Sequence, residues 1–181
     1  MEHLGFTLWF TGLSGAGKTT LAIALEQELK KRGVKVERLD GDIVRKSLTR
    51  DLGFSKEDRD KNIERITFVA KLLSRNGVAV LASFISPYRA VRQKVREETT
   101  NFIEVFVHVP LDEAIQRDVK GLYQKAMNGE IPNFTGVSDP YEEPLDPEIF
   151  VPTHLETVEE SVQRILAYLE EHDYVPVTQP A

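Results

Sequence analysis

The stretch FTLWFTGLSGAGKTT, residues 6–20, decides the fold of this chain. It opens with an apolar, strand-like run over residues 6–11, and helical periodicity of apolar residues begins at Gly17. The loop between them matches the pattern G-x-x-x-x-G-K-[ST], with Gly12, Gly17, Lys18 and Thr19 at the fixed positions. A strand, a glycine-rich loop and a helix in this order are typical of a phosphate-binding loop, because the glycines let backbone N–H groups turn towards phosphate oxygens.

This glycine loop is a specific signal. With glycine near ~7% of residues, the four fixed positions arise by chance in about one chain of this length in a hundred. We expect Lys18 to reach the β- and γ-phosphates of a nucleoside triphosphate, and Thr19 to ligate Mg²⁺. The residues predicted to line the phosphates are Gly12, Leu13, Ser14, Gly15, Ala16, Gly17, Lys18, Thr19 and Thr20.

Strand-like and helix-like segments alternate along the rest of the chain. Strands are expected at residues 34–39, 78–84, 102–109 and 148–151, and helices at 17–31, 55–74, after Pro87, and at 111–119, 122–127 and 157–171. This alternation predicts a three-layer α/β/α fold with a mostly parallel five-stranded sheet. Ligands of such sheets bind at the carboxyl ends of the strands, where the glycine loop and residues 40–42 and 83–87 are all expected.

Composition narrows the possible partners. The 181 residues fit one domain, 1–181, and the absence of cysteine excludes disulfides and thiolate metal sites. A formal net charge of −6 argues against a nucleic-acid partner, which favours a basic domain. No apolar run approaches the ~18 residues of a membrane span, and the N-terminus lacks an export signal. We therefore expect a cytoplasmic protein with no membrane partner.

Two aspartates follow the second predicted strand, in Asp40-Gly41-Asp42. The chain has no guanine-reading N-K-x-D motif, and its D-x-x-G match at residues 118–121 follows a helix-like stretch, so the sequence argues against a GTPase. The strand at 78–84 carries no acidic residue of the Walker-B type, which leaves the two aspartates as the acidic groups at the strand ends. Asp42 is therefore a candidate to accept a proton from a substrate hydroxyl or to help hold Mg²⁺ through water. Alternatively, D-G-D is a turn with an aspartate that caps the next helix, which applies more readily to Asp40.

A helical wheel over the helix predicted from Ser55 places Arg59 and Asn62 on its buried face. The apolar stripe of that face is formed by Ile63, Ile66, Val69, Ala70 and Leu73, and the opposite side by Asp60, Lys61, Glu64, Thr67 and Lys71. Buried polar groups need partners. Arg59 and Asn62 thus either form an internal salt bridge, with an aspartate of D-G-D as one candidate partner, or bind an anionic or hydrogen-bonding ligand, the alternative that we favour.

The ordered set of motifs resembles the adenylylsulfate kinase family over nearly the whole chain. The motifs are W-F-T-G-L-S-G-A-G-K-T-T (9–20), L-D-G-D-x-x-R (39–45), L-G-F-S (52–55), R-x-x-N-I-x-R (59–65), F-I-S-P-Y-R (84–89), K-G-L-Y-x-K-A (120–126), G-E-I-x-N-F-T-G-V (129–137) and D-P-Y-E-x-P (139–144). The resemblance implies a P-loop nucleotide kinase fold with a mobile lid. It also implies transfer of the γ-phosphate of ATP, with Mg²⁺, to the 3′-hydroxyl of adenosine 5′-phosphosulfate (APS), giving 3′-phosphoadenosine 5′-phosphosulfate (PAPS) and ADP in sulfate assimilation.

The resemblance also implies residue roles. Phe54 and Phe134 would sandwich the adenine of APS, the alternative being two loop anchors that fill the core. Arg45, Arg59 and Asn62 would bind its phosphosulfate and adenosine portions. Further contacts to APS are implied for Asp40, Ile85, Gly121 and Leu122, and contacts to ATP for Arg117 and Thr153.

Three residues match positions close to the chemistry. Asp42 would be the general base for the 3′-hydroxyl, and Lys120 would neutralise developing charge. Ser86 matches a serine described as a phosphoenzyme intermediate, but nothing in F-I-S-P supplies an adjacent base to activate it. We therefore expect Ser86 to hydrogen-bond APS.

Residues 117–143 resemble the lid of the family. Their glycines and cationic side chains suit a segment that closes and excludes water from the phosphoryl group. Val119 stands where the family commonly has proline, and His154 is a further departure to which we assign no role.

Other readings of the same residues remain. The chain could be another small-molecule P-loop kinase of the adenylate or shikimate kinase type, a catalytically inactive nucleotide-binding regulator, or one domain of a sulfurylase–kinase fusion. The aromatic pair and D-G-D-x-x-R argue against the first, and intact Lys18, Thr19 and Asp42 against the second. Because family members are commonly dimers, we expect a homodimer.

Overall fold

The computed structural model describes residues 4–177, and its strands form one parallel sheet. The strands are β1 (Phe6–Thr11), β2 (Val36–Asp40), β3 (Ala79–Ser83), β4 (Phe102–His108) and β5 (Ile149–Pro152). Their order across the sheet is β2-β3-β1-β4-β5, and every pairing is parallel. All carboxyl ends therefore lie at one edge, as the predicted fold requires.

Helices cover both faces of this sheet. They are α1 (Lys18–Lys31), α2 (Gly41–Lys46), α3 (Lys56–Ser74), α4 (Arg89–Glu98), α5 (Leu111–Arg117), α6 (Leu122–Met127) and α7 (Val158–Glu171). Helices α1 and α7 pack on one face, and α3 and α4 on the other. The three-layer α/β/α architecture is confirmed. Within residues 4–177, no helix has the length and apolar character needed to cross a membrane.

The central strand β1 belongs to both cores because successive side chains of a strand point to opposite faces. Phe6, Leu8 and Phe10 join the core under α1 and α7, whereas Trp9 joins the core under α3 and α4. All six residues of β1 are buried, which explains why this strand reads as a continuous apolar run. A strand so placed delivers the glycine loop to the middle of the sheet edge.

Helix α2 was not predicted as a helix of its own. The D-G-D turn runs directly into it, since Asp40 is its N-cap and accepts a hydrogen bond from the Asp42 backbone. This helix buries only Val44, so it shows no apolar stripe, which is why the sequence pattern missed it. The expectation that an aspartate of D-G-D caps a helix is confirmed for Asp40.

The helical wheel is right for much of α3, but Val69 and Leu73 of the predicted stripe are only half-buried, and Thr67 departs from the prediction. Asn62, Ile63, Ile66 and Ala70 are buried as predicted. Thr67, placed on the opposite side, is also buried, and its hydroxyl donates to the Ile63 carbonyl at 2.7 Å. Because α3 packs against α4 as well as the sheet, its buried arc is wider than the apolar stripe.

Thr157 caps α7, and its removal gives a measurable test of this architecture. The Thr157 hydroxyl accepts from the Glu160 backbone at 3.2 Å, and the Glu160 carboxylate accepts from the Thr157 backbone at 2.7 Å. Thr157→Ala is expected to lower the free energy of unfolding by about 1 kcal/mol, measured by urea denaturation. Thr157→Ser keeps the hydroxyl and should stay near wild type; equal losses in both variants would contradict the capping role.

Candidate active site

The glycine loop connects β1 to α1, and only glycine fits at its first position. Gly12 has φ +156°, and a Cβ there would lie 2.2 Å from the Val107 carbonyl oxygen. Gly15 and Gly17 also have positive φ angles, 77° and 105°. At such angles an L side chain is strained, so the loop positions of the motif are explained by backbone geometry.

Lys18 folds back over this loop. Its ammonium donates to the carbonyl oxygens of Gly12 at 2.9 Å and Leu13 at 2.7 Å. Burial is the main reason that the pKa of Lys18 falls to about 7; the charge of Lys120 lowers it further, and Asp40 opposes both. The ammonium is therefore held where phosphate oxygens could replace the two carbonyls.

Thr19 and Asp40 form the link between the loop and β2. The Thr19 hydroxyl donates to Asp40 Oδ2 at 2.7 Å, while Asp40 Oδ1 accepts from the Asp42 backbone at 3.0 Å. The carboxylate is buried. A hydroxyl and a carboxylate side by side are hard oxygen donors of the kind that Mg²⁺ prefers, so these residues fit the metal that the motif implies.

Asp42 and Lys120 meet at the mouth of the site. Lys120 Nζ lies 3.1 Å from Asp42 Oδ2, and both side chains are more than half exposed. Lys120 lies in the turn between α5 and α6, and Asp42 in the first turn of α2. The structure therefore brings the K-G-L-Y segment to the D-G-D segment, although 78 residues separate them.

Arg59 and Asn62 lie on α3 beside the predicted lid. Arg59 pairs with Asp139 at 3.2 Å and also donates to the Asn133 carbonyl. An internal salt bridge thus exists, but with Asp139 and not with the D-G-D aspartates that we named as candidates. Asn62 Oδ1 is buried and has no hydrogen-bond partner among the described residues. An unpaired buried acceptor is unfavourable, so a donor supplied by a ligand would be stabilised there.

The two predicted adenine-binding rings differ in their surroundings. Phe54 is 65% exposed, which rules out a core-filling role. The guanidinium of Arg45 lies over its ring, 4.2 Å from the centroid, a cation–π contact. Phe134 is half-buried against the main core and meets Tyr123 edge-on at 5.1 Å. The alternative that the two rings anchor loops by filling the core therefore fails for Phe54 and holds in part for Phe134.

Ser86 is buried, and its hydroxyl is already bonded within the protein. Trp9 Nε1 donates to Ser86 Oγ at 2.9 Å, and the Thr11 hydroxyl and the Phe84 carbonyl both lie 3.2 Å away. The neighbouring Ile85 carbonyl accepts from the Thr11 hydroxyl at 2.7 Å. None of these partners is a base, so the surroundings disfavour a nucleophilic role, and they leave the hydroxyl little freedom to contact APS.

The remaining predicted residues lie beside the glycine loop or within the predicted lid. Thr153 donates to the Ala16 carbonyl at 2.7 Å and so braces the loop from β5. Arg117 ends α5 and pairs with Glu113 at 3.3 Å. Gly121, with φ 67°, precedes α6, whose first residue is Leu122.

Sequence reasoning missed two tyrosines that tie the predicted lid to β1 and its loop. Tyr123 donates to the Ser14 carbonyl at 2.9 Å, and burial raises its pKa to about 12. The hydroxyls of Tyr141 and Thr11 lie 2.8 Å apart. Both tyrosines stand in motifs that the sequence displayed, K-G-L-Y and D-P-Y-E-x-P, but neither carries a charge that would have singled it out.

The glycine loop, its lysine and the parallel sheet are those of a P-loop nucleotide-binding protein. A family model described as "Adenylylsulphate kinase" matches residues 4–152. A probable adenylyl-sulfate kinase from Pseudomonas aeruginosa is 73% identical over 166 residues, 92% of this chain and 78% of the relative. An adenylyl-sulfate kinase from Picosynechococcus is 58% identical over 97% of this chain and 99% of its own. The chain belongs to the adenylylsulfate kinase family.

A solved structure agrees with this assignment. The Mycobacterium tuberculosis APS kinase in complex with AMPPNP and APS superimposes with a TM-score of 0.88 at 41% identity, over 93% of this chain and 99% of the other. Its bound molecules are an ATP analogue and APS. The expected family and the expected P-loop kinase fold are confirmed.

The lowered pKa of Lys18 predicts proton uptake when ATP binds. At about pH 8 the amine is mostly neutral, and phosphate oxygens favour the ammonium form, so binding should take up nearly one proton. At about pH 6 the amine is already protonated and this uptake should vanish; affinity should therefore fall as pH rises through the pKa. Calorimetry with a non-hydrolysable ATP analogue and Mg²⁺, in two buffers of different ionisation enthalpy, measures the uptake.

Lys18→Met is the control for this titration. It should bind the analogue more weakly and without the proton uptake at about pH 8. Identical proton exchange at both pH values in the wild type would contradict the assignment.

Proposed function

We propose that this chain transfers the γ-phosphoryl group of MgATP to the 3′-hydroxyl of APS, giving PAPS and ADP, in sulfate activation. The observation that carries the proposal is the position of Asp42. Its backbone N–H donates to Asp40, which accepts from Thr19 of the glycine loop, and its side chain contacts Lys120 of the predicted lid. A carboxylate at the junction of a donor loop and an acceptor-side cluster suits a kinase whose acceptor is a hydroxyl.

The donor half is built from β1, α1 and β5. Loop amides and Lys18 bind the phosphates of ATP, with Lys18 exchanging its two carbonyl partners for phosphate oxygens. Thr153 and Tyr123 brace the loop through the carbonyls of Ala16 and Ser14. Bracing of this kind keeps the amides preorganised, so little reorganisation is needed when the nucleotide arrives.

The acceptor half is built from α2, α3 and the segment after α6. Arg45, Arg59 and Asn62 bind the phosphosulfate and adenosine portions of APS, and Phe54 and Phe134 enclose its adenine. The exposed ring of Phe54, which a ligand can reach, supports this assignment, and so does the buried Asn62 Oδ1, which lacks a hydrogen-bond donor among the described residues. Arg59 would release Asp139 and pair with an anionic group of APS instead, so that one negatively charged partner replaces another.

In the transfer step, Asp42 accepts the proton of the 3′-hydroxyl of APS while the 3′-oxygen forms a bond to the γ-phosphorus of ATP. The bond from that phosphorus to the β,γ-bridging oxygen breaks, and ADP leaves with the bonding electrons. Lys18 and Lys120 stabilise the negative charge that develops on the phosphoryl oxygens. Thr19, with Asp40 close by, would hold Mg²⁺, which would supply positive charge to offset that of the phosphates.

Residues 117–143 act as the lid in this proposal. They contact the rest of the site through Lys120, Tyr123 and the Asn133 carbonyl, three points spread along the segment. Closure over both nucleotides would exclude the water that competes with the 3′-hydroxyl for the phosphoryl group. A single domain over 1–181, the cytoplasmic location and the homodimer likewise remain predictions, and residues 1–3 and 178–181 lie outside the described part of the chain.

An acceptor panel tests the proposed function. ADP release in a coupled assay is expected with APS and only at background level with AMP, shikimate or no acceptor, because the acceptor half is argued to read both the adenosine and the phosphosulfate. Equal turnover with AMP and APS would overturn the assignment. ATP binding in calorimetry without APS-dependent ADP release would instead indicate a nucleotide-binding regulator.

Phe54→Ala tests the aromatic enclosure. Stacking of a base on one aromatic ring contributes about 1–3 kcal/mol, so the KM for APS should rise about tenfold or more while the KM for ATP stays nearly constant. Phe68→Ala is the matched control: Phe68 is 62% exposed on α3, comparable with 65% for Phe54, and has no role in the site. A similar rise in both variants would point to a general surface effect.

A further inference from the structure

Arg92 of α4 is a buried cation for which the proposed mechanism has no use. Its side chain is only 2% exposed. The guanidinium donates to the Ser86 carbonyl at 2.5 Å, to the Glu142 carbonyl at 2.6 Å and to the Glu104 carboxylate at 3.1 Å. These acceptors belong to three segments: the loop after β3, the segment before β5, and β4.

Fold stability alone does not account for such a residue. A buried ion pair is weak support for stability, because desolvation of the two charges offsets much of their attraction. A planar guanidinium, however, presents up to five N–H donors in a rigid fork, so it reaches acceptors on separate segments at fixed angles, whereas an ammonium is a single compact point. The two backbone carbonyls are therefore the informative partners of Arg92.

The first carbonyl belongs to a residue in a strained conformation. Ser86 has φ 43°, a left-handed geometry that non-glycine residues rarely adopt and that persists only where the surroundings over-determine it. Arg92 holds its carbonyl, and Trp9 holds its hydroxyl at 2.9 Å. This turn sets the course of the chain at the carboxyl end of β3, on the acceptor side of the sheet edge.

The second carbonyl belongs to the segment that carries the partner of Arg59. Asp139 pairs with Arg59 at 3.2 Å, and Tyr141 lies under the Arg92 guanidinium, 5.7 Å from ring centroid to Cζ. The Tyr141 hydroxyl lies 2.8 Å from that of Thr11, which in turn donates to the Ile85 carbonyl. The two segments held by Arg92 are thus also joined to each other through Thr11.

We propose that Arg92 is a positioning residue for the acceptor nucleotide. It clamps the Ser86 turn and residues 139–142 at a fixed separation, and so sets the wall against which Arg59 and the APS molecule are aligned. The inference deepens the proposed function and rests on it. Arg92 itself contacts neither substrate; its effect passes through the backbone of Ser86 and Glu142.

The test compares Arg92→Lys with two controls in steady-state kinetics and thermal unfolding. A lysine keeps the buried charge beside Glu104 but cannot reach both carbonyls, so the KM for APS should rise about tenfold while the KM for ATP changes less than about twofold. Glu104→Gln removes the charge partner and leaves both carbonyl bonds. It should lower the melting temperature without raising the KM for APS.

Arg96→Lys is the second control, one helical turn further along α4. Arg96 pairs with Glu148 and lies 3.9 Å from Glu104, but it contacts neither Ser86 nor Glu142. It should leave the KM for APS unchanged. A rise in the KM for APS of similar size in all three variants, or an unchanged value in Arg92→Lys, would overturn the positioning role.

Two safeguards keep the result decisive. If Arg92→Lys does not fold, Arg92→Gln takes its place: its shorter side chain cannot hold both carbonyls and should raise the KM for APS, so an unchanged value would overturn the proposal. Failure of the proposed function is recognised separately, since the wild type would then release no APS-dependent ADP. An active wild type with an unaffected Arg92→Lys variant refutes only the inference about Arg92.

Discussion

The approach of Gly12 to β4 is the constraint on which the rest of the site depends. A Cβ at this position would lie 2.2 Å from the Val107 carbonyl oxygen. The backbone therefore leaves β1 at a point where β4 leaves no room for a side chain. Because β1 is paired with β3 on one side and β4 on the other, the loop that follows it cannot move without the sheet. The amides that would bind phosphate are therefore fixed by strand pairing and not by the loop alone.

Pairs of groups from distant segments organise the charges around this loop. Lys120 meets Asp42, Arg59 meets Asp139, and Thr19 meets Asp40. Although the net charge of the chain is −6, Lys18 and Lys120 lie close enough beside the glycine loop for the charge of one to lower the pKa of the other, so the positive charge offered to an anionic ligand is local. In each pair, a group of the substrate would be able to replace one member as the hydrogen-bond or charge partner of the other.

Several features of the site were predictable from the sequence for stated physical reasons. The glycine loop was readable because its positive φ angles demand glycine at fixed spacing. The burial of Asn62 followed from helical periodicity, which depends only on neighbours along the chain. Helix α2 was missed because it buries only Val44 and therefore shows no apolar stripe. The burial of Thr67 was missed because it depends on the packing of α3 against α4.

By itself, the sequence determined the alternation of strands and helices apart from α2, the glycine loop with Lys18 and Thr19, and the family to which the chain belongs. These features depend on the spacing of residues that are close in the chain, so they can be recognised from the sequence alone. Only the tertiary structure decided which groups meet: Arg59 with Asp139 instead of Asp40 or Asp42, Ser86 with Trp9 in a buried network, and Arg92 between three separate segments. The reason is that these contacts join residues far apart in the chain, whose distance depends on how the helices pack around the sheet.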